Sequence, residues 1–149
     1  MGFEEKNQII LGLYKAKVDE DIETLRNYIK HLETMLNMYP EEGRLWQFLS
    51  IGYMRTFRMD EAYQACKKAV EYGVRDMDLY KRYIITQQFR AEDEERIKTC
   101  DDAIKLYPRE CIFYIVKGYS LVNLKEYEDI TKLNEFLFIR LLTQTPYIT

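Results

Sequence analysis

The dipeptide Tyr-Pro occurs twice, at Tyr39-Pro40 and Tyr107-Pro108, 68 residues apart, and each copy closes a stretch of helical periodicity, MLNMYP and DAIKLYP. A proline there stops a helix, because it has no N–H to donate and its ring clashes with the preceding turn. Sixty-eight is twice 34, and halfway between the copies lies EYGVRD, where Gly73 supplies the stop instead. A period of this length constrains the fold more than any other feature. Each unit is too short to bury an apolar face alone, so the units must stack on one another.

Cutting the chain at these stops gives units 9–42, 43–76, 77–110 and 111–144 with a tail at 145–149, all within one domain spanning 1–149. Each unit has room for two short helices. In the second, Trp46, Leu49 and Tyr53 are spaced as W-x2-L-x3-Y, and Ala62, Cys66 and Ala69 share one face of the next helix. Small residues on that face let paired helices approach, and the large rings fill the gap between them. The third unit repeats the scheme with Tyr80, Tyr83, Cys100 and Ala103, the fourth with Tyr114, Gly118 and Leu121. The first keeps Ala16, Leu32, Met35 and Pro40. Acidic residues open the second helices: Asp60 as an N-cap, Glu92 or Asp93, and Glu126, each facing the positive end of a helix dipole.

Composition agrees with an all-α chain. Of 149 residues, 47% are hydrophobic, with only six Gly and three Pro to interrupt helices. The net charge of -3 argues against nucleic acid as the partner, which needs a clustered excess of Lys and Arg. The N-terminal MGFEEKNQII carries glutamates where a secretory signal has basic residues, and no apolar run is long enough to span a bilayer. Lys6 stands where a myristoylation signal has Ser or Thr. Cys66, Cys100 and Cys111 form no metal-type spacing and fit reduced packing thiols. A soluble, cytoplasmic protein without a membrane partner is expected.

No constellation for catalysis stands out. His31 is the one histidine and has no acidic or thiol neighbour at a ligand spacing. The acidic runs Asp19-Glu20-Asp21 and Glu92-Asp93-Glu94-Glu95 lack the glycine and distal glutamate of a calcium loop, and both enter helices, where capping explains them. Neither a phosphate-cradling glycine loop nor a serine elbow is present. The expectation is a non-enzyme with no cofactor and no metal. Thirteen tyrosines interleaved with basic residues admit a further reading, an RNA-binding helical repeat. Tyr53, Tyr80 and Tyr114, however, fall on packing positions.

These residues resemble the tetratricopeptide repeat (TPR) family, whose units are antiparallel helix pairs stacked into a right-handed superhelix, an α-solenoid. The resemblance covers about residues 9–144. The chain departs from the pattern at Val74 in place of the closing Pro, at Arg96 and Ile130 in place of Ala, and at Lys117 in place of an apolar residue. The resemblance implies that the first helix of each unit lines a concave groove. Its groove positions fall on Arg44, Gln47, Phe48, Ile51, Met54 and Arg55 in the second unit, and on Asp78, Lys81, Arg82, Ile85, Gln88 and Phe89 in the third. In the fourth they fall on Ile112, Ile115, Val116, Tyr119, Val122 and Asn123. Arg44, Arg55, Lys81 and Arg82 outnumber Asp78, so an acidic or carboxylate-bearing peptide would be steered to the basic end, with Phe48, Ile51, Met54, Ile85 and Phe89 adding apolar contacts. The two-carboxylate clamp of one TPR subclass is not present: Gln47, Ile51, Arg82, Ile112 and Val116 stand at its five positions.

The fourth unit is apolar beyond what one amphipathic helix needs, in CIFYIVKGYSLV and again in NEFLFIRLL. A cover is expected from a second copy, a partner segment or the tail. Two functions follow. The first is a protein-interaction module, an adaptor or chaperone-like holder of an apolar and acidic segment in the groove; the second is an oligomerisation unit that forms a homodimer through residues 111–142.

Overall fold

The computed structural model describes residues 22–125 and 127–144, together with Gly2, Glu4, Glu5, Gln8 and Ile9. The helices bounded among them are α1 (Ile22–Met38), α2 (Gly43–Arg55), α3 (Met59–Glu71), α4 (Met77–Phe89), α5 (Asp93–Leu106), α6 (Cys111–Asn123) and α7 (Tyr127–Gln144). No strand occurs among the described residues. Two compact units are present, Met1–Arg82 and Tyr83–Thr149, and the boundary falls inside α4. Ala16, the run Asp19-Glu20-Asp21, Glu126 and the tail 145–149 lie outside the described residues.

In unit 1, α1 packs on α2 and α2 on α3. The helical period places Leu25, Ile29, Leu32 and Met35 on one face of α1, and all four are buried. They meet Leu45, Leu49 and Tyr53 of α2, behind which Ala62, Ala65, Cys66 and Ala69 form the small-residue face of α3. Gly52 marks the close approach of α1. A Cβ there would stand 2.8 Å from Ile29 Cγ1, so any side chain would push the helices apart. Trp46 is only half-buried, and its indole Nε1 donates to the Pro40 carbonyl at 3.1 Å.

In unit 2, α5 packs on α6 and α6 on α7. Tyr83, Ile84, Cys100, Ala103, Phe113, Tyr114, Leu121 and Leu133 are its buried apolar residues. Tyr114 Oη donates to the Pro108 carbonyl at 2.8 Å. Trp46 and Tyr114 are 68 residues apart, as are the prolines they latch. The core is also polar: Thr86, Gln87, Arg96, Thr99 and Ser120 are all buried. Arg96 fills a site expected to hold Ala because its charge is met. Its Nε donates to Ser120 Oγ and its Nη2 to Asp93 Oδ1, both at 2.7 Å, and Asn123 Nδ2 reaches the same Asp93 oxygen at 3.1 Å. Lys117 is likewise paired, with Asp101 Oδ1 at 2.7 Å.

The turns carry the period in their backbone. Phe57, Ala91 and Lys125 each have positive φ, 58°, 53° and 61°, and stand 34 residues apart. Each follows the end of a first helix and returns its N–H to the penultimate residue, at Met54, Gln88 and Val122. This is the left-handed cap that satisfies carbonyls orphaned at a helix end. Gly73, at φ 91°, does the same after α3, donating to Val70 while Val74 N donates to Ala69. One capping expectation is corrected. α3 starts at Met59 with Arg58 as its N-cap, so Asp60 lies inside the first turn, where it faces the dipole without occupying the cap. For α5, Glu92 is the N-cap and makes no side-chain cap bond.

Candidate peptide-binding surface

Arg44, Gln47 and Ser50 recur every three residues, on one face of α2. That face is built into a network. Arg44 Nη1 donates to Gln47 Oε1 at 2.7 Å and to Asp76 Oδ2 at 2.5 Å, and Gln47 Nε2 donates to the same Asp76 oxygen at 2.8 Å. These bonds, Gln47's first and Arg44's after it, hold the Asp76 carboxyl below its usual range. Gln47 is buried, and its amide is fully engaged between Arg44 and Asp76. Ser50 Oγ donates to the Gln47 carbonyl at 2.6 Å and accepts from Arg82 Nη1 at 3.3 Å. Burial lowers the pKa of the Arg82 guanidinium.

Phe48, Ile51, Met54 and Arg55 are half-buried, as is Lys81, and Phe48 and Met54 pack against the unit 1 core. The basic end foreseen from sequence therefore includes an acid, Asp76, that no periodic position marked. It stands 32 residues from Arg44, and only the folded chain brings them together.

Unit 2 presents a different surface. Ile85 and Phe89, 43% and 70% exposed, lie one turn apart on α4. On α6, Ile112, Ile115, Tyr119 and Val122 are all exposed and follow one stripe, while Phe113, Tyr114 and Leu121 on the other side are buried. Beside that stripe is a cleft of ≈ 290 Å³, lined by Tyr114, Ile115, Gly118, Tyr119, Val122, Asn134 and Leu137. On α7, Phe136, Phe138, Ile139 and Leu141 are exposed as well.

Burial holds the Cys100 thiol and the Tyr53 hydroxyl. Burial pushes the Cys100 thiol up to about 12, which keeps it protonated and unreactive. Burial, then the Glu33 carboxylate that accepts from its hydroxyl at 3.2 Å, raises the pKa of Tyr53. Tyr53, Tyr80 and Tyr114 are buried and so unavailable to stack on bases. His31 is exposed on α1. No helix among the described residues is long and apolar enough to cross a membrane.

No family model and no curated protein matches the chain in sequence. The likeness is in three dimensions. The fold is that of a tetratricopeptide-type helical repeat, all-α and built as a solenoid of helix pairs. A crystal structure of the TPR-containing protein MamA matches with a TM-score of 0.74 at 14% identity, covering 98% of this chain and 80% of that one. A second MamA structure matches at 0.70 and 14% identity over 99% of each chain. The TPR2B domain of yeast Sti1, in its pHsp70 complex, matches with a TM-score of 0.56 at 18% identity, covering 92% of this chain and 98% of that domain.

Proposed function

We propose that this chain is a protein-interaction module, an adaptor or chaperone-like holder that takes an apolar and acidic peptide segment along the first helices of its repeats. The domain is read as one array, 1–149, of units 9–42, 43–76, 77–110 and 111–144, with Arg44, Gln47, Phe48, Ile51, Met54, Arg55, Lys81, Arg82, Ile85, Phe89, Ile115 and Tyr119 as its contact positions. The observation that carries this reading is the α6 stripe Ile112, Ile115, Tyr119 and Val122, left in water on a helix whose other side is packed. Exposed apolar surface of this kind marks interaction sites. The Sti1 domain, seen in complex with pHsp70, lends the same support from a chain of similar fold. A cytoplasmic setting belongs to the proposal, supported by the free thiols of Cys66, Cys100 and Cys111. No catalytic role is assigned.

The test is binding to a displayed peptide library. Ile115→Asp with Tyr119→Asp should weaken the selected peptides by about tenfold or more, and joint charge reversal at Arg44, Lys81 and Arg82 should weaken the acidic ones selectively. Unchanged binding in both variants refutes the groove.

A second reading has its own observation. α7 leaves Phe136, Phe138, Ile139 and Leu141 exposed, which supports a homodimer through residues 111–142. Light scattering across a concentration series should then show a dimer that Phe136→Glu dissociates; a wild-type monomer at high concentration refutes it.

A further inference from the structure

Units 1 and 2 share a register that goes beyond their turns. A shift of 68 residues carries α2 (Gly43–Arg55) onto α6 (Cys111–Asn123), and the start of α3 at Met59 onto the start of α7 at Tyr127. In each unit the middle helix packs on the helix before it and the helix after it. The same shift carries Ile29 onto Ile97, Glu33 onto Asp101, Leu49 onto Lys117, Tyr53 onto Leu121 and Ala65 onto Leu133.

In unit 1 the space between the three helices is filled. Tyr53 and Leu49 are buried with Ile29 and Ala65 in one cluster, and the Tyr53 hydroxyl donates to Glu33 Oε1 at 3.2 Å. The Arg58 guanidinium lies over the Tyr53 ring, 4.6 Å from its centre. In unit 2 that ring is missing. Leu121 has neither ring nor hydroxyl, and Lys117, in the place of the buried Leu49, pairs with Asp101 Oδ1 at 2.7 Å.

What remains is a crevice of ≈ 500 Å³ between α5, α6 and α7. Its apolar lining is Ile97, Ile104, Leu121 and Leu133. Ile97 is only half-buried, whereas its counterpart Ile29 is 1% exposed. Tyr114 and Phe136 add an aromatic wall, with ring centres 5.8 Å apart. Asp101, with a side chain 42% exposed, stands at the rim in the place of Glu33.

We infer that this crevice receives a tyrosine side chain of a partner chain, in the place that Tyr53 takes in unit 1, with its hydroxyl donating to Asp101. The ring covers apolar side chains and packs against Tyr114 and Phe136. A carboxylate accepts several donors, so the hydroxyl joins Lys117 at Asp101 without displacing it. Two aspartates and two lysines line the crevice, Asp101, Asp129, Lys117 and Lys132, and this balance suits a neutral ring better than an ion. None of the contact positions proposed for the groove lines this crevice, so the inference stands apart from that reading.

N-acetyl-tyrosinamide, titrated into the isotope-labelled chain and followed by NMR, tests it. Saturable amide shifts should cluster at Ile97, Asp101, Lys117 and Leu133. N-acetyl-phenylalaninamide, which lacks the donor, should bind about tenfold more weakly. Asp101→Ala should bring the two probes level. Leu121→Tyr combined with Leu133→Ala copies the unit 1 arrangement into unit 2, and the built-in ring should abolish binding of the tyrosine probe. If that double variant loses helicity by circular dichroism, Asp101→Ala, at a partly exposed side chain, gives the reading alone. Shifts that are absent, or confined to Ile115 and Tyr119, overturn the inference. So do equal binding of the two probes by the native chain, a tyrosine preference that survives Asp101→Ala, and undiminished binding by the folded double variant.

Discussion

The two units distribute polarity in opposite ways. Among the described residues, unit 1 buries leucines, isoleucines and alanines, with Gln47, Ser50 and little else polar inside, and exposes the large apolar side chains Ile22, Met38, Phe57 and Tyr72. Among its described residues, unit 2 buries Thr86, Gln87, Arg96, Thr99 and Ser120, and exposes eleven large apolar side chains, most of them on α6 and α7. The difference teaches how each unit is held. Unit 1 is held by close approach, with Gly52 against Ile29 and an alanine face behind Leu49, so its stability follows packing. Unit 2 adds directed bonds around Arg96 to its apolar core and leaves more apolar surface in water.

The largest test of that contrast is Leu49→Ala. Leu49 is fully buried in the unit 1 core, and its truncation should cost about 3 kcal/mol in chemical denaturation, through lost transfer energy and a cavity. A loss under about 1 kcal/mol would mean that unit 1 does not depend on packing.

Arg96→Ala should come next, at about 2–3 kcal/mol, because it leaves a mostly buried Asp93 with Asn123 but without its cation and removes the Ser120 bond. Arg96→Met sharpens the point. It fills the space without the charge, so a cost as large as alanine's assigns the site to hydrogen bonding, and a near-neutral result assigns it to volume.

The smallest effect is a pH dependence in unit 1. The Asp76 carboxyl is held below its ordinary 3.8 by Gln47 and Arg44. The stability this gives is present above 3.8 and is lost as pH falls through that value toward the folded one. Thermal melts between about pH 5 and about pH 3 should show Asp76→Asn less sensitive to acid than the native chain. The side chain is nearly half exposed, so solvent screening keeps the difference small. Equal acid sensitivity in both proteins would remove Asp76 from the account.

Much of the fold was legible because its signals are local. Gly73 announces a left-handed cap by being glycine, and the φ of 91° follows. The small face of α3 and the helix ends at Tyr39 and Tyr107 could be read from spacing alone. Phe57, Ala91 and Lys125 adopt the same left-handed conformation without glycine. Their residue types carry no signal, and only the 34-residue interval could have found them. For the binding surface, composition and position marked the arginines, but nothing local distinguished Arg44 from Arg82.

Sequence alone thus determined the period, the helix pairs and which positions are small or large, since these depend on residues three to seven apart along one helix. The tertiary structure decided which charges are already satisfied. Asp76 reaches Arg44 across 32 residues, Ser50 reaches Arg82 across 32, and Asp93 and Ser120 enclose Arg96 from two helices. Such pairings depend on where separate helices come to rest against each other, and the free energy of a buried charge depends on the few ångströms that packing sets.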